Sequence, residues 1–203
     1  MKIICIGRNY VEHAQELKNE IPVEPVFFMK PDTALLPKQN AFYLPGFSTD
    51  IHYEVELVLK ISKEGKHIAE EFAHKYYDAI TVGIDFTARD IQQKQKEKGL
   101  PWEPAKAFDH SAPVGEFISL SELPDPAKIN FHLDINGKTV QQGTNELMIF
   151  TFAKVISYVS KFITIKKGDM LFTGTPKGVG QVKAGDKLEA FLENKKLLTV
   201  EVR

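Results

Sequence analysis

The chain of 203 residues has a single cysteine, Cys5, which excludes an internal disulfide. Cys5 lies in the apolar run 3–6, where we expect a small core residue rather than a catalytic thiol. Lysine and arginine total 26 against 27 aspartates and glutamates, so the formal net charge is only -1. Without a basic excess, we expect no binding to nucleic acid and no attraction to an acidic membrane surface.

Long apolar runs are also missing. No segment approaches the roughly 20 residues of a membrane-spanning helix, and no charged leader precedes the first apolar run. We therefore predict a cytoplasmic protein with no signal peptide and no membrane anchor. Neither a repeat nor a linker interrupts the sequence, and 203 residues can bury a substantial core, so we predict one domain over residues 1–203.

The most informative stretch is residues 50–61, Asp-Ile-His-Tyr-Glu-Val-Glu-Leu-Val-Leu-Lys-Ile. Polar residues alternate with apolar ones as far as Glu56, which is typical of a half-buried strand, and Glu54 and Glu56 should share one face with His52 beside them. Two adjacent carboxylates repel each other and are costly to bury unless a cation joins them. The stretch is either a divalent-metal site or a solvated strand edge, and by itself it favours the edge.

Asp85 is a third candidate carboxylate. It follows an apolar run, residues 79–84, that is predicted to be a buried strand. Thr87 and Asp90 have the spacing of a capping box for a helix that continues to Lys98, which leaves Asp85 without a capping role. With the two glutamates it would complete an all-oxygen site, suited to Mg²⁺, Mn²⁺ or Ca²⁺ rather than zinc. Spacing alone does not show that the three carboxylates meet.

Two other segments allow both a functional and a structural interpretation. His13 and Glu16 are three residues apart on a predicted helix over about residues 10–20, capped by Asn9, so their side chains lie on one face; alone, they indicate only a surface pair. Residues 173–180, Thr-Gly-Thr-Pro-Lys-Gly-Val-Gly, lack the Walker A pattern. They form either a plain turn or a cradle of hydroxyl and N–H groups for a small anion.

Strands predominate in the remaining sequence without a regular alternation with helices. Asn136-Gly137 between alternating runs predicts a hairpin, and residues 70–78 and 147–163 are predicted helices. This order indicates an α+β domain built around a large sheet or barrel.

The motifs as a set resemble those of the fumarylacetoacetate hydrolase family, and most of all its compact acylpyruvase and oxaloacetate decarboxylase or tautomerase branch. One such motif is weak, but six in order along essentially the whole chain are specific. They are Gly7-Arg8-Asn9-Tyr10, Phe28-Met29-Lys30-Pro31, His52-Tyr53-Glu54-Val55-Glu56, Asp85-Phe86-Thr87-Ala88-Arg89-Asp90, Pro101-Trp102-Glu103-Pro104-Ala105-Lys106 and Phe172-Thr173-Gly174-Thr175-Pro176-Lys177-Gly178-Val179-Gly180. The resemblance implies a mixed β-sandwich roll or barrel with flanking helices, usually a homodimer.

The resemblance also implies a role for each matching position. The metal-binding carboxylates, for Mg²⁺ or alternatively Mn²⁺, match Glu54, Glu56 and Asp85. The active-site lysine matches Lys106, and the positions that hold the carboxylate of the substrate match Arg89, Gln92 and Thr175. A dyad on a mobile lid helix, which orients and deprotonates a water, matches His13 and Glu16.

The implied activity is a Mg²⁺-dependent reaction of a small anionic 2-oxo acid. Hydrolysis of acylpyruvates and decarboxylation or keto–enol tautomerisation of oxaloacetate all develop charge on the same keto oxygen as an enolate, which a metal and Lys106 would stabilise. One alternative is an isomerase or decarboxylase of 2-hydroxyhepta-2,4-diene-1,7-dioate. Another is a non-catalytic metabolite-binding module on the same fold, which the retained carboxylates and Lys106 argue against.

Overall fold

The computed structural model describes residues 1–17 and 20–203, and strands make up most of its regular structure. The strands are β1 (Ile3–Gly7), β2 (Val26–Lys30), β3 (Ile51–Tyr53), β4 (Val55–Ile61), β5 (Tyr77–Ile84), β6 (Thr87–Ala88), β7 (Ile118–Ser119), β8 (Asn130–Ile135), β9 (Lys138–Thr144), β10 (Met170–Phe172), β11 (Gly180–Gln181), β12 (Lys187–Leu192) and β13 (Lys195–Glu201). The α-helices are α1 (Val11–Glu16), α2 (Arg89–Lys98), α3 (Glu103–Lys106) and α4 (Phe152–Phe162). Short 3₁₀ helices occupy Asp32–Ala34, Glu70–Lys75, Leu120–Glu122 and Asn145–Leu147.

The strands form a six-stranded sheet in the order β2-β1-β10-β4-β5-β7, a three-stranded sheet β11-β3-β6 and a four-stranded sheet β13-β12-β8-β9. β1 and β10 run parallel, whereas β4 pairs with both of its neighbours in antiparallel fashion. This mixture of sheets with few helices confirms the predicted α+β class. Among the described residues, no helix is long and apolar enough to cross a membrane.

The core lies on both sides of β4. Leu57 and Leu59 belong to the larger hydrophobic cluster, and Val58 packs on the opposite side with Cys5 and Phe172. A strand covered on both faces cannot keep the polar alternation of a half-buried strand, which explains the apolar run after Glu56. Cys5 is fully buried and unpaired, as predicted for a core residue.

The predicted central strand is not continuous. It breaks at Glu54, where the chain leaves the three-stranded sheet at the end of β3 and enters the six-stranded sheet as β4. His52, which was predicted to lie beside the two glutamates, bonds to Asp50, with its Nε2 atom 2.9 Å from Oδ1 of that residue. Local alternation could not show this change of sheet, since it depends on the partners of each half of the strand.

The predicted cap of the first helix is also wrong. α1 follows Tyr10 with no side-chain cap. Asn9 instead bonds to distant backbone: its amide nitrogen donates to the carbonyls of Phe150 and Thr173 at 3.0 and 2.8 Å, and its oxygen accepts from the Phe150 N–H at 2.7 Å. A fully buried amide must satisfy all of its groups, and long-range partners do so here. The helix ends at Glu16, and part of its predicted C-terminal turn, Lys18 and Asn19, lies outside the described residues.

Three other local predictions have mixed outcomes. The Asn136-Gly137 hairpin is confirmed, with positive φ at both turn residues. Residues 70–78 form a 3₁₀ helix and the start of β5 rather than an α-helix, and the 147–163 helix begins only at α4, capped by Thr151. The predicted Thr87–Asp90 capping box is absent, because Thr87 lies in β6 and its hydroxyl is used in the site described below.

Candidate active site

Three buried carboxylates meet where β3, β4 and β5 adjoin. Pairing of Val55 with Ile84 brings the preceding Glu54 next to the following Asp85, and the Asp85 N–H donates to the Glu54 carbonyl at 2.8 Å. Glu54, Glu56 and Asp85 each offer an oxygen, and these three oxygens lie within 4.8 Å of one another. The structure therefore brings together the three predicted carboxylates and excludes the solvated-edge interpretation.

Lys106 lies between two of these carboxylates. Its Nζ donates to Oε2 of Glu54 at 2.8 Å, to Oδ2 of Asp85 at 2.7 Å and to the hydroxyl of Thr87 at 2.6 Å. The short helix α3 holds it there, with the Lys106 N–H bonded to the Trp102 carbonyl. Burial lowers the pKa of Lys106, but Asp85 and Glu54 outweigh this and leave the pKa raised. The ammonium is therefore a fixed positive charge in a nearly dry site.

The carboxylates differ in their electrostatics. For Glu54, burial alone would raise the pKa, but the positive charges of Lys106 and Arg89 hold it well below its usual range. For Glu56, burial and the charges of Asp85 and Glu54 raise the pKa well above its usual range. Glu56 is thus the carboxylate that lacks a compensating cation. A buried, all-oxygen group of this kind fits a hard divalent ion such as Mg²⁺ or Mn²⁺.

Arg89 and Gln92 lie at the start of α2 and reach the same cavity. Arg89 forms an ion pair with Oε1 of Glu54, and its Nη1 donates to the side-chain oxygen of Gln92 at 2.6 Å. Thr175 lines the cavity from the loop after β10, where its hydroxyl donates to the Val55 carbonyl at 2.8 Å. All three predicted substrate-binding positions therefore surround the carboxylates.

His13 enters the cavity from α1 and is almost completely buried. Its Nδ1 lies 3.4 Å from Oε2 of Glu16, so the predicted pair is present. Burial lowers the pKa of His13 below its usual value, although Glu54 and the bond to Glu16 oppose this. A neutral imidazole held by a carboxylate can accept a proton at its other nitrogen.

The backbone N–H groups of the loop 173–180 do bind anionic groups, but these are carboxylates of the protein itself. The Gly174 N–H donates to Oε2 of Glu56 at 2.7 Å. The Gly178 N–H donates to both oxygens of Glu16, at 3.1 and 3.2 Å. This loop therefore positions one carboxylate of the site and one of α1, while its residue Thr175 lines the cavity.

Sequence reasoning missed the role of Lys30. Its Nζ lies 2.7 Å from Oδ1 of Asp85, donates to the hydroxyl and carbonyl of Ser111 at 2.9 and 3.1 Å, and also donates to the carbonyl of Lys106. The residue is 2% exposed. The sequence did contain a signal for this role, because Lys30 directly follows the apolar residues Val-Phe-Phe-Met. A lysine in a strand that is otherwise apolar needs a buried partner.

Gln141 was also missed. From β9 its side-chain oxygen accepts from the Val55 N–H at 2.9 Å, and its amide donates to the hydroxyl of Thr175 and the carbonyl of Pro176, both at 2.9 Å. It thereby ties the hairpin to the strand and loop that line the cavity. An isolated glutamine in a strand carries no sequence signal for this role.

Comparison with known proteins identifies the family. Residues 2–203 match the family described as Fumarylacetoacetate (FAA) hydrolase C-terminal. Oxaloacetate tautomerase FAHD1, mitochondrial, of Mus musculus is 42% identical over 191 residues, which covers 94% of this chain and 86% of that protein. Oxaloacetate tautomerase YcgM of Escherichia coli (strain K12) is 41% identical over 199 residues, 98% of this chain and 91% of that protein.

A solved structure agrees with these relatives. Fumarylpyruvate hydrolase from Pseudomonas aeruginosa, in complex with Mn²⁺ and pyruvate, superposes with a TM-score of 0.93 at 36% identity, over 100% of this chain and 89% of that one. The chain belongs to the fumarylacetoacetate hydrolase family.

Proposed function

We propose that the protein is a divalent-metal-dependent enzyme that interconverts the keto and enol forms of oxaloacetate. One observation carries this proposal. The fixed ammonium of Lys106 and the neutral imidazole of His13 line the same cavity, beside the buried carboxylates. The oxaloacetate tautomerases among the relatives provide the independent support for this choice of substrate.

Glu54, Glu56 and Asp85 would hold the ion, which when bound would act as a Lewis acid toward the 2-oxo acid. We favour Mg²⁺, with Mn²⁺ as the alternative; the latter ion accompanies pyruvate in the Pseudomonas relative. Metal-binding carboxylates are oriented by the neighbouring groups that bond to them. Here Lys30 holds Asp85 and the Gly174 N–H holds Glu56.

The chain supplies the remaining functions. Arg89, Gln92 and Thr175 would bind the carboxylate next to the keto group and so fix the orientation of the substrate. The free imidazole nitrogen of His13 would take a proton from C3, and the resulting negative charge on the keto oxygen would be stabilised by Lys106. Return of the proton to that oxygen gives the enol, so the reaction is balanced without another reactant.

The test follows the ultraviolet absorbance of enol-oxaloacetate as it approaches equilibrium, with enzyme that is metal-free, Mg²⁺-loaded or Mn²⁺-loaded. We expect acceleration over buffer only with a divalent ion. Lys106→Met should remove most of the acceleration, and Lys98→Met, an exposed lysine of α2, is the control. Full acceleration after exhaustive chelation would contradict the metal dependence.

Hydrolysis of acylpyruvates is a second candidate, and the His13–Glu16 contact is the observation that favours it. An imidazole oriented by a carboxylate can deprotonate a water as well as a carbon acid. A panel of acetylpyruvate, fumarylpyruvate and 2-hydroxyhepta-2,4-diene-1,7-dioate distinguishes these reactions. If no member of the panel and neither form of oxaloacetate were turned over, the non-catalytic binding module would replace both proposals.

We further infer that the protein is a cytoplasmic homodimer. Large exposed side chains of one segment, Tyr43 and Phe47, support an interface between copies, because isolated domains seldom expose neighbouring aromatics of this size. Sedimentation equilibrium should give twice the chain mass. A substitution of Phe47 by serine should shift the equilibrium toward monomer.

A further inference from the structure

Gln141 is a buried polar residue of β9 whose side chain bonds to two segments beside the cavity. The residue is 2% exposed, and its side-chain oxygen and amide nitrogen together make three hydrogen bonds. β9 and the loop 173–180 are in close contact, since a Cβ atom on Gly178 would lie only 2.8 Å from the Val140 carbonyl oxygen. Gln141 is therefore held between this loop and Val55 of β4.

The backbone of Val55 determines which way the Gln141 amide faces. Its N–H can only donate, so the atom of Gln141 that lies 2.9 Å from it must be the oxygen. The amide nitrogen then faces the hydroxyl oxygen of Thr175 and the carbonyl oxygen of Pro176, both at 2.9 Å. A carbonyl oxygen can only accept, which requires the same orientation. Gln141 therefore donates a hydrogen bond to Thr175 and cannot accept one from it.

This orientation decides what the hydroxyl of Thr175 can do. A hydroxyl has one hydrogen, and because its oxygen accepts from Gln141, that hydrogen must point to another group. In the structure it is donated to the Val55 carbonyl at 2.8 Å. Thr175 is itself buried and lines the cavity. An amide turned the opposite way would take the hydrogen for itself.

We propose that Gln141 is a positioning residue: by donating to the Thr175 hydroxyl, it leaves the hydroxyl hydrogen able to turn from the Val55 carbonyl to the carboxylate of a 2-oxo acid. The inference rests on the proposed function, which places that carboxylate beside Thr175. Rotation about the Cβ–Oγ bond is sufficient for this exchange. The new bond is the stronger of the two because its acceptor is charged.

The experiment reverses the polarity of the contact. Gln141→Glu keeps an oxygen for the Val55 N–H but replaces the amide nitrogen with an acceptor, which would take the Thr175 hydrogen. The affinity for pyruvate is measured by titration calorimetry of the Mg²⁺-loaded protein, and kcat/KM is measured for oxaloacetate. Both are measured at about pH 8, well above the usual pKa of a carboxyl group. Gln142→Glu, exposed at the next position of β9, is the matched control.

We expect Gln141→Glu to lower the pyruvate affinity and kcat/KM by about 10- to 100-fold, on the scale of one hydrogen bond to a charged group. The loss in kcat/KM should be carried by KM, because the bond is made equally in the ground state and the transition state. Gln142→Glu should leave both quantities unchanged. Unchanged pyruvate affinity in Gln141→Glu would overturn the inference.

A double-mutant cycle separates an effect that passes through the hydroxyl from a general effect of the added charge. In a Thr175→Val background the loss caused by Gln141→Glu should largely disappear, whereas in a Thr175→Ser background, which keeps the hydroxyl, it should persist. Equal losses in the two backgrounds would overturn the positioning role and leave the proposed function intact. Unchanged pyruvate affinity in Thr175→Val alone would also overturn it, because the hydroxyl would then have no ligand to bind.

The two readouts keep this inference distinct from the proposed function. Wild type that binds pyruvate but turns over neither form of oxaloacetate would overturn the proposed function, and the pyruvate titrations would still decide the role of Gln141. Wild type that does not bind pyruvate would overturn the inference. If Gln141→Glu does not fold, judged by far-ultraviolet circular dichroism, Gln141→Met takes its place in the same cycle, with a smaller loss expected because the donor is removed but not reversed.

Discussion

The ammonium of Lys30 lies 2.7 Å from Oδ1 of Asp85, while Lys106 bonds to the other oxygen of the same carboxylate at 2.7 Å. Asp85 is 1% exposed, so these two lysines replace the water that a carboxylate would otherwise bind. Lys30 also bonds to the backbone carbonyl of Lys106. One residue of β2 therefore positions both a candidate metal ligand and the proposed source of positive charge.

Lys30→Met should lower the free energy of unfolding by about 3–5 kcal/mol, because it leaves one oxygen of a buried carboxylate without its cation. Denaturant unfolding of the metal-free protein measures this loss. Lys60→Met, at an exposed position of β4, should change it by less than about 0.5 kcal/mol. The double variant Lys30→Met/Asp85→Asn should recover part of the loss. If Lys30→Met behaved like Lys60→Met, the ion pair would contribute nothing to stability.

The carboxylates should act as one metal site. Glu54→Ala, Glu56→Ala and Asp85→Ala should each abolish turnover and weaken Mg²⁺ binding in calorimetric titration, because each removes one of the three oxygen ligands. Circular dichroism should show that the fold persists. Unchanged Mg²⁺ affinity in all three variants would place the ion elsewhere.

Glu56 should make the metal-free protein less stable as the pH rises. Its folded pKa is raised above the ordinary value of 4.5, so the folded protein binds the proton more tightly than the unfolded chain does. The resulting stabilisation is complete below about pH 4.5 and is lost as the pH rises toward the folded pKa. Melting temperatures measured across this range, with and without saturating Mg²⁺, test the prediction. Glu56→Gln should flatten the dependence, and a slope that remained in this variant would assign it to another group.

Lys106→Met should reduce kcat on the order of a hundredfold or more, because it removes the preorganised positive charge that would stabilise the reacting oxygen. Binding of Mg²⁺ should persist, since the three carboxylates remain. Kinetics within a few-fold of wild type would show that Lys106 serves only to neutralise Glu54 and Asp85.

Substitution of His13 should affect tautomerisation and hydrolysis, which need a base, more than decarboxylation, which does not. His13→Ala should lower tautomerisation and acylpyruvate hydrolysis by roughly 10²–10⁴-fold, whereas decarboxylation of oxaloacetate should fall far less. Glu16→Ala should show the same pattern in weaker form. Because burial lowers the pKa of His13, the acidic limb of kcat/KM for the first two reactions should lie below pH 6.5. Equal losses of kcat in all three reactions would refute this division.

Residue types and local patterns determined much of this protein. Several features could be identified from the sequence because each depends on neighbours within a few positions. They are Glu54 and Glu56 at the start of β4, Asp85 directly after β5, the His13–Glu16 spacing and the Asn136-Gly137 turn. The resemblance to the family motifs also identified Lys106, Arg89, Gln92 and Thr175 as candidate site residues.

Only the tertiary structure decided how these parts are held. Asn9 bonds to Thr173 across 164 positions, Gln141 to Val55 across 86 and Lys30 to Ser111 across 81. Buried polar groups take whichever partners the packed chain brings to them, and local spacing carries no information about partners that distant. For the same reason Thr87, read locally as a helix cap, accepts its hydrogen bond from Lys106, because burial beside that ammonium favours the site over the cap.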